Sequence, residues 1–297
     1  MKRLACLLLI LLLASALPIP VLADDDPAVY VATIEGMIAE GAANRFQKAI
    51  DRAEDNDAAA LIIKLDTPGG LSTAMNDIIQ AIEGSAVPVI VYVAPAGAQA
   101  FSAGTFILLS AHVAAMAPAT SIGACQPRVI NPATGTAETA PQKEINAFAK
   151  KIQSLADSRD RNQTAARRFV TENLAYSPKE ATANNTIELL AENVTELVAL
   201  ADGMTIQGTL QGRPNVTLAL AGADIIQIQW TFRDTIVDYL TDPQIASLLL
   251  TIGILGLVMG FLTPGFHVPE VVGAIFLILA LYGLSFIGIN AAGVLLL

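Results

Sequence analysis

The sequence predicts an α/β domain built on a mostly parallel sheet, followed by helices that cross a membrane. Three observations predict it. From Ala28 to Met116, short apolar β-branched runs alternate with segments of helical period. Those runs are apolar throughout rather than at every second residue, which is the pattern of strands covered on both faces. Long uncharged segments lie near the C-terminus and raise the hydrophobic content to 54% of 297 residues, above the roughly half that is usual for a soluble domain.

Taken in order, Lys2 and Arg3 precede an apolar run over residues 4–17, and Val21-Leu22-Ala23 offers a small-residue cleavage site before Asp24-Asp25-Asp26. Pro18 and Pro20 end that run before it is long enough to span a bilayer, so residues 1–23 read as an export signal. The rest of the chain is then extracytoplasmic or membrane-borne. Residues 24–230 have ordinary polarity and suffice for one domain with a full core. Residues 29–34 and 58–65 are strand-like; 39–53 carry Ala42, Phe46 and Ile50 at helical spacing. A helix over 72–82 sets Met75, Ile78, Ile79 and Ile82 on one stripe, followed by a strand at 87–93, a short helix at 100–110 and a strand at 113–116. Such alternation specifies the α/β class.

Residues 126–140 are rich in Pro, Thr, Gly and Asn without an apolar period, and read as a mobile loop that gates access to a site. A helix over 142–158 buries Ile145, Phe148, Ile152 and Leu155; further helices are expected near 165–171, 178–183 and 194–201, with short strands over 204–229. Residues 231–244 form a juxtamembrane segment with an amphipathic helix at 232–240. The transmembrane region, 245–297, holds complete spans at 245–262 and 271–289 and a partial third, which reads as a shortened form. It contains no Lys or Arg, so charge does not orient it.

A net charge of −10 excludes nucleic acid as a partner. Cys6 leaves with the signal, Cys125 has no intrachain partner, and no Cys/His cluster calls for a metal or other cofactor. Asn162, Asn184, Asn193 and Asn215 each begin an Asn-x-Thr sequon.

Two motifs carry chemistry. Ala100-Phe101-Ser102-Ala103-Gly104 follows a strand and opens a helix, where backbone N–H groups and the helix dipole favour negative charge. A carbonyl attacked by Ser102 would place its oxyanion there. Thr67-Pro68-Gly69-Gly70, at the end of the neighbouring strand, lets backbone approach a substrate without side-chain obstruction. A serine needs a base. His267 lies between the spans, and His112 sits where a structural role suits it. A lysine can serve if burial brings its pKa from ~10.4 toward ~7–8. Periodicity sets Lys143 away from the apolar stripe, and on spacing alone Lys150 or Lys151 would do as well.

Together these motifs resemble the long form of the NfeD family, the stomatin operon partner proteins, whose peptidase domain belongs to the ClpP/crotonase superfamily. The resemblance rests on Leu65-Asp66-Thr67-Pro68-Gly69-Gly70-Leu71, Phe101-Ser102-Ala103-Gly104-Thr105, Ser121-Ile122-Gly123-Ala124-Cys125 and Lys151-Ile152-Gln153-Ser154-Leu155-Ala156. It continues through Leu240-Thr241-Asp242-Pro243-Gln244 and Thr263-Pro264-Gly265-Phe266. It implies a ClpP-like spiral domain and a Ser102–Lys143 dyad. Backbone N–H groups of Gly70 and Ala103 would form the oxyanion hole, with Gly69, Phe101 and Gly104 beside the substrate. Cys125 stands where the soluble ClpP enzymes carry their histidine, so the lysine replaces it. It further implies a stomatin-like membrane protein as substrate or partner, contact with membrane lipid, and a homodimer. Family members also tend to carry an OB-like barrel after the spans, which this sequence does not reach. Two other readings compete: a non-catalytic scaffold for a stomatin-type partner, which would tolerate Ser102→Ala, and a crotonase-type acyl-CoA enzyme, which an export signal disfavours because coenzyme A is cytoplasmic.

Overall fold

A computed structural model of the chain describes residues 27–131, 134–263 and 267–286. The expected signal at 1–23 and the partial third apolar segment lie outside them. Strand β1 (Ala28–Glu35) leads into α1 (Glu40–Glu54), β2 (Ala60–Asp66) into α2 (Ser72–Gly84), and β3 (Val89–Val93) through β4 (Gln99–Phe101) into α3 (Ala103–Ser110). Then come β5 (Val113–Met116), β6 (Ser121–Gly123), β7 (Arg128–Ile130), β8 (Ala137–Thr139), α4 (Gln142–Ser158) and α5 (Gln163–Thr171). The domain closes with β9 (Ala175–Tyr176), α6 (Pro178–Ala183), β10 (Leu189–Leu190), α7 (Val194–Ala201), β11 (Thr209–Leu210), β12 (Arg213–Pro214) and β13 (Asp224–Gln227).

The central sheet runs β10-β5-β3-β2-β1-β13, and every neighbouring pair is parallel. Successive residues of one strand feed two separate cores. Tyr30, Ala32 and Ile34 join Leu61, Ile63 and Leu65 under α1 to α5, while Val29 and Val31 join Ala60 and Ile62 on the α7 side. Because both faces are covered, both parities are apolar, and that is why the strands read as unbroken runs. The strand ends carrying Asp66 and Val93 lie on one edge, where ligands meet open parallel sheets.

Two expectations change. The helix expected at 100–110 begins only at Ala103, because Gln99–Phe101 pair with Ser121–Gly123 as a parallel ribbon. That pairing joins residues far apart in sequence, which no local period can reveal. The loop expected at 126–140 contains the antiparallel pair β7–β8, with Arg128 opposite Thr139 and the Arg128 guanidinium donating to the Ala137 carbonyl (2.7 Å). Both of its strands are short and largely exposed, so no apolar alternation marks them.

Helices α8 (Phe232–Thr241), α9 (Pro243–Leu262) and α10 (Val268–Phe286) complete the described chain. Of the described helices, α9 alone is long and apolar enough to cross a membrane; α10 is apolar from Val268 to Leu284, and the rest of the expected second span, to 289, lies outside the described residues. The two helices touch backbone to backbone: a Cβ on Gly256 would lie 2.8 Å from Gly273 Cα, as small residues allow between apolar helices. Helix α8 docks on α1. The N-cap Ala39 supplies no side-chain acceptor to the first turn of α1; instead the Gly41 N–H donates to Oγ1 of Thr241 at 3.1 Å. Buried Thr241 thus caps α1 from the far end of the domain. Arg45–Asp238 (3.1 Å) and Lys48–Asp234 pairs extend the contact, and Trp230 Nε1 donates to the Thr33 carbonyl (2.9 Å).

Candidate active site

Ser102 joins β4 to α3 with φ +52° and ψ −117°. This backbone region is unfavourable for a residue with a Cβ and persists only where the surroundings impose it. Here they do. The Ser102 N–H donates to the Gly123 carbonyl (3.0 Å), and its own carbonyl accepts from the Thr105 N–H (3.0 Å). Buried Thr105 donates through Oγ1 to the Ala100 carbonyl (2.6 Å) and accepts from the Gly123 N–H (2.8 Å). Thr105 therefore pins both strands that flank the serine. Sequence reasoning passed over it, although a hydroxyl inside the apolar run of α3 was a signal.

The Pro-Gly-Gly turn lies directly against this serine. Gly69 has φ +116°, and a Cβ on it would come 2.7 Å from Ser102 Cβ. A Cβ on Gly70 would lie 2.0 Å from the Ile38 carbonyl oxygen, so only glycine fits. The neighbouring amides are engaged: the Gly69 N–H donates to Thr67 Oγ1 (3.0 Å) and the Leu71 N–H to the Ile38 carbonyl (2.7 Å). The Gly70 N–H has no acceptor among the described residues, and Ala103, opening α3, has no intrahelical acceptor for its own. Two donors are thereby open on residues that line the same cleft as Ser102.

A cleft of about 350 Å³ opens over them. Gly70, Ser102 and Ala103 line it together with an apolar wall from Leu71, Met75, Phe106, Val129 and Phe148, where Phe106 meets Phe148 edge to face at 5.8 Å. Met75 and Phe148 belong to stripes that periodicity reads as core, so this wall is invisible in the sequence. Pro127, Arg128 and Val129 bring the expected gating segment to the cleft. Gly69, Phe101 and Gly104 support the turn rather than line the cleft: Gly104 is buried, and a Cβ there would meet Thr67 Cγ2 at 2.5 Å.

Lys143 stands exposed in the first turn of α4, next to Glu144, which does line the cleft; Lys143 itself is not among the lining residues. Lys150 is exposed as well. Lys151 is half-buried, donates to Asn76 Oδ1, and is held below the ordinary lysine range by burial. His112 is no alternative base. It is buried away from the cleft, its Nδ1 accepts from the Val89 N–H (3.0 Å), and burial, helped by Arg159 and Arg161, pushes its pKa down to about 3. Cys125 borders the cleft with its Sγ 3.3 Å from the Gly123 carbonyl oxygen; burial pushes its thiol up to about 12, so it stays protonated and does not compete as a nucleophile.

The far end of α3 is closed by charge. Arg161 makes a two-pronged pair with Glu188 (2.7 Å from Nε to Oε1 and 2.7 Å from Nη2 to Oε2), and donates to the carbonyls of Leu109 (2.8 Å) and Ala111 (3.0 Å). Arg159 Nε donates to the Ser110 carbonyl (3.2 Å). These guanidinium groups satisfy the last carbonyls of the helix whose first residue follows Ser102. Of the sequons, Asn162 and Asn193 serve as helix N-caps, accepting from the Ala165 N–H and the Glu196 N–H.

Comparison with known proteins places the chain. The family described as NfeD1b, N-terminal domain, matches residues 28–210, and the NfeD integral membrane domain matches residues 244–297. Membrane-bound protease PH1510 of Pyrococcus horikoshii is 44% identical over 297 residues, covering 100% of this chain and 66% of that protein. Membrane protein NfeD1b of Bacillus subtilis is 28% identical over 260 residues, 87% of this chain and 56% of that protein. The chain thus spans less than two thirds of either relative. Among solved structures, a lysine-to-alanine mutant of the 1510-N membrane-bound stomatin-specific protease, in complex with a substrate peptide, matches with TM-score 0.70 and 41% identity over 73% of this chain and 99% of that one. A serine-to-alanine mutant of the same protease matches with TM-score 0.67 and 41% identity over 69% of this chain and 99% of that one.

Proposed function

This chain belongs to the NfeD family, and on that premise we propose that it is a membrane-anchored serine endopeptidase with a Ser102–Lys143 dyad, cutting apolar segments of a stomatin-like membrane protein. The observation that carries the reading is Ser102, held in a strained turn at the mouth of α3, against Gly69 and facing an apolar cleft. Strain of this kind marks functional positions when the surroundings over-determine it. The choice of Lys143 draws support from the related structures. Their substituted serine and lysine lie 41 positions apart, as do Ser102 and Lys143.

In this mechanism Ser102 Oγ attacks the peptide carbonyl while the neutral Lys143 amine takes its proton. The oxyanion accepts from the Gly70 and Ala103 N–H groups, and the α3 dipole favours its charge. The lysine then returns the proton to the leaving amine, and water hydrolyses the acyl-enzyme by the same route in reverse. The exposed first turn of α4 must be covered for the amine to act, because burial disfavours the ammonium. A peptide lying along Val129 and Phe148, beneath the β7–β8 hairpin, supplies that cover. The cleft's apolar wall suits hydrophobic sequence. The domain sits on the extracytoplasmic side of a multi-pass anchor that includes α9 and α10.

The test is cleavage of a set of hydrophobic peptides, including C-terminal segments of stomatin-like proteins, by the purified chain and by its Ser102→Ala and Lys143→Ala variants. Cleavage lost in both folded variants is the expected result. Activity surviving in Lys143→Ala would move the base to Lys151, and cleavage by none of the proteins would favour a scaffold.

A further inference from the structure

Beyond Arg233 the chain contains no lysine or arginine, yet three cations converge where the domain meets its apolar helices. Arg45 and Lys48 lie about one turn apart on α1, and Arg233 stands at the start of α8. With Asn44, Asp234 and Tyr282 of α10 they line a cavity of about 260 Å³. Lys48 pairs with Asp234, and Arg45 with Asp238, so Arg233 leaves the cluster with a surplus positive charge.

Arg45 carries an unsatisfied donor beside this cavity. Its side chain is only 13% exposed, and its Nε has no hydrogen-bond partner among the described residues. Buried donors of this kind are normally satisfied. Guanidinium, ammonium and amide groups around one cavity are the donors that phosphate oxygens take. The cavity on the other side of Arg45 is lined by Glu35, Asp238 and Asp242 and repels anions, which directs one toward Lys48 and Arg233.

The level in the molecule narrows the source. Tyr282 adjoins Gly283, where a Cβ would lie 2.0 Å from the Leu240 carbonyl oxygen, so the cavity lies between α8 and the end of α10, close to where α9 begins. Phe232, 81% exposed, and Tyr239, 62% exposed, stand on α8 beside it, as aromatic residues do near membrane boundaries. We infer that this cavity is a phosphate-ester site that holds the headgroup of an acidic phospholipid at the membrane boundary. In a chain of net charge −10, a local cationic socket offsets the repulsion that an acidic bilayer exerts on the rest of the surface.

The test uses the full chain in neutral detergent at constant ionic strength, followed by thermal unfolding with added phosphatidylglycerol, phosphatidylcholine or inorganic phosphate. Phosphatidylglycerol raises Tm and is retained in native mass spectra, whereas phosphatidylcholine does neither. Arg233→Gln, at an exposed position, keeps the lipid-free Tm and loses the phosphatidylglycerol shift; Lys48→Gln loses it too. If inorganic phosphate alone reproduces the shift with the same Arg233 dependence, the site stands and its occupant is free phosphate. No shift with phosphatidylglycerol, equal shifts with both lipids, or a shift undiminished in both variants overturns the proposal. None of these readouts depends on peptide cleavage.

Discussion

The two ends of α3 are held in opposite ways. At its start, Ser102 is fixed by neutral hydrogen bonds alone, donating to the Gly123 carbonyl and accepting from the Thr105 N–H, and the backbone is strained. At its end, buried Arg159 and Arg161, with half-buried Glu188, hold the last carbonyls beside the neutral, buried His112. The strongly perturbed histidine sits at the closed end, while the open end carries no charge of its own. The strained φ at the open end singles out Ser102 as the candidate reactive position, whereas the shifted His112 belongs to the closed end. The two ends are nevertheless one device. Cations near the C-terminal carbonyls and unsatisfied N–H groups at the N-terminus reinforce the same helix dipole.

Substitutions at the two ends separate these roles. Ser102→Ala has the largest expected effect: peptide cleavage falls by roughly 10⁴-fold or more with thermal stability little changed, measured as initial rates beside a melting curve. Arg161→Ala acts on the other end. It strands Glu188 and the Leu109 and Ala111 carbonyls in the interior, and a loss of about 3–5 kcal/mol is expected, read as a large drop in Tm. If Arg161→Ala left Tm intact while abolishing cleavage, the division between the ends would be wrong.

Gly70→Ala tests the open end without touching the nucleophile. The new Cβ cannot coexist with the Ile38 carbonyl oxygen 2.0 Å away, so the turn shifts and its N–H leaves the oxyanion position. A loss of about 10²–10³-fold in kcat, with KM nearly unchanged, is the expected outcome. An unaffected kcat would remove Gly70 from the hole.

His112 gives the closed end a pH signature. The unfolded chain binds a proton near 6.5, but the folded chain does not until about 3. Between those values the unfolded state holds more protons, so this residue withdraws stability as pH falls and has no effect above the window. The total is a few kcal/mol at most. His112→Asn, which keeps an acceptor for the Val89 N–H, should flatten the decline of Tm between pH 6.5 and pH 4 relative to wild type. Parallel curves would show that other groups dominate acid sensitivity.

The smallest effect expected is at the α1–α8 junction. Thr241→Val removes the acceptor for the Gly41 N–H at nearly constant volume and should cost about 1 kcal/mol, with Thr241→Ser restoring it in a thermal melt.

Much of this molecule was legible beforehand. Strands buried on both faces announce themselves as apolar runs, and α1, α2 and α4 follow from their periods because each presents one stripe to the core. Ser102 and the Gly69-Gly70 turn were legible because a serine after a strand and paired glycines are local features. A base was not legible from spacing: the candidate, Lys143, lies off the apolar stripe of α4, and the family resemblance is what singles it out.

The sequence by itself therefore determined the class, most of the order of elements, the candidate serine and the apolar anchor, since all of these depend on neighbours within a few residues or on composition. The tertiary structure alone decided what depends on contacts between distant segments. Those contacts turn Gln99–Phe101 into a strand, force Ser102 to positive φ through Thr105 and Gly123, and set Phe148 beside Phe106 as a cleft wall. They also bring Arg161 to the end of α3 and Thr241 to the start of α1. A hydrogen-bond partner 50 or 200 residues away leaves no periodic trace, because the chain between can take any path that brings the two groups together.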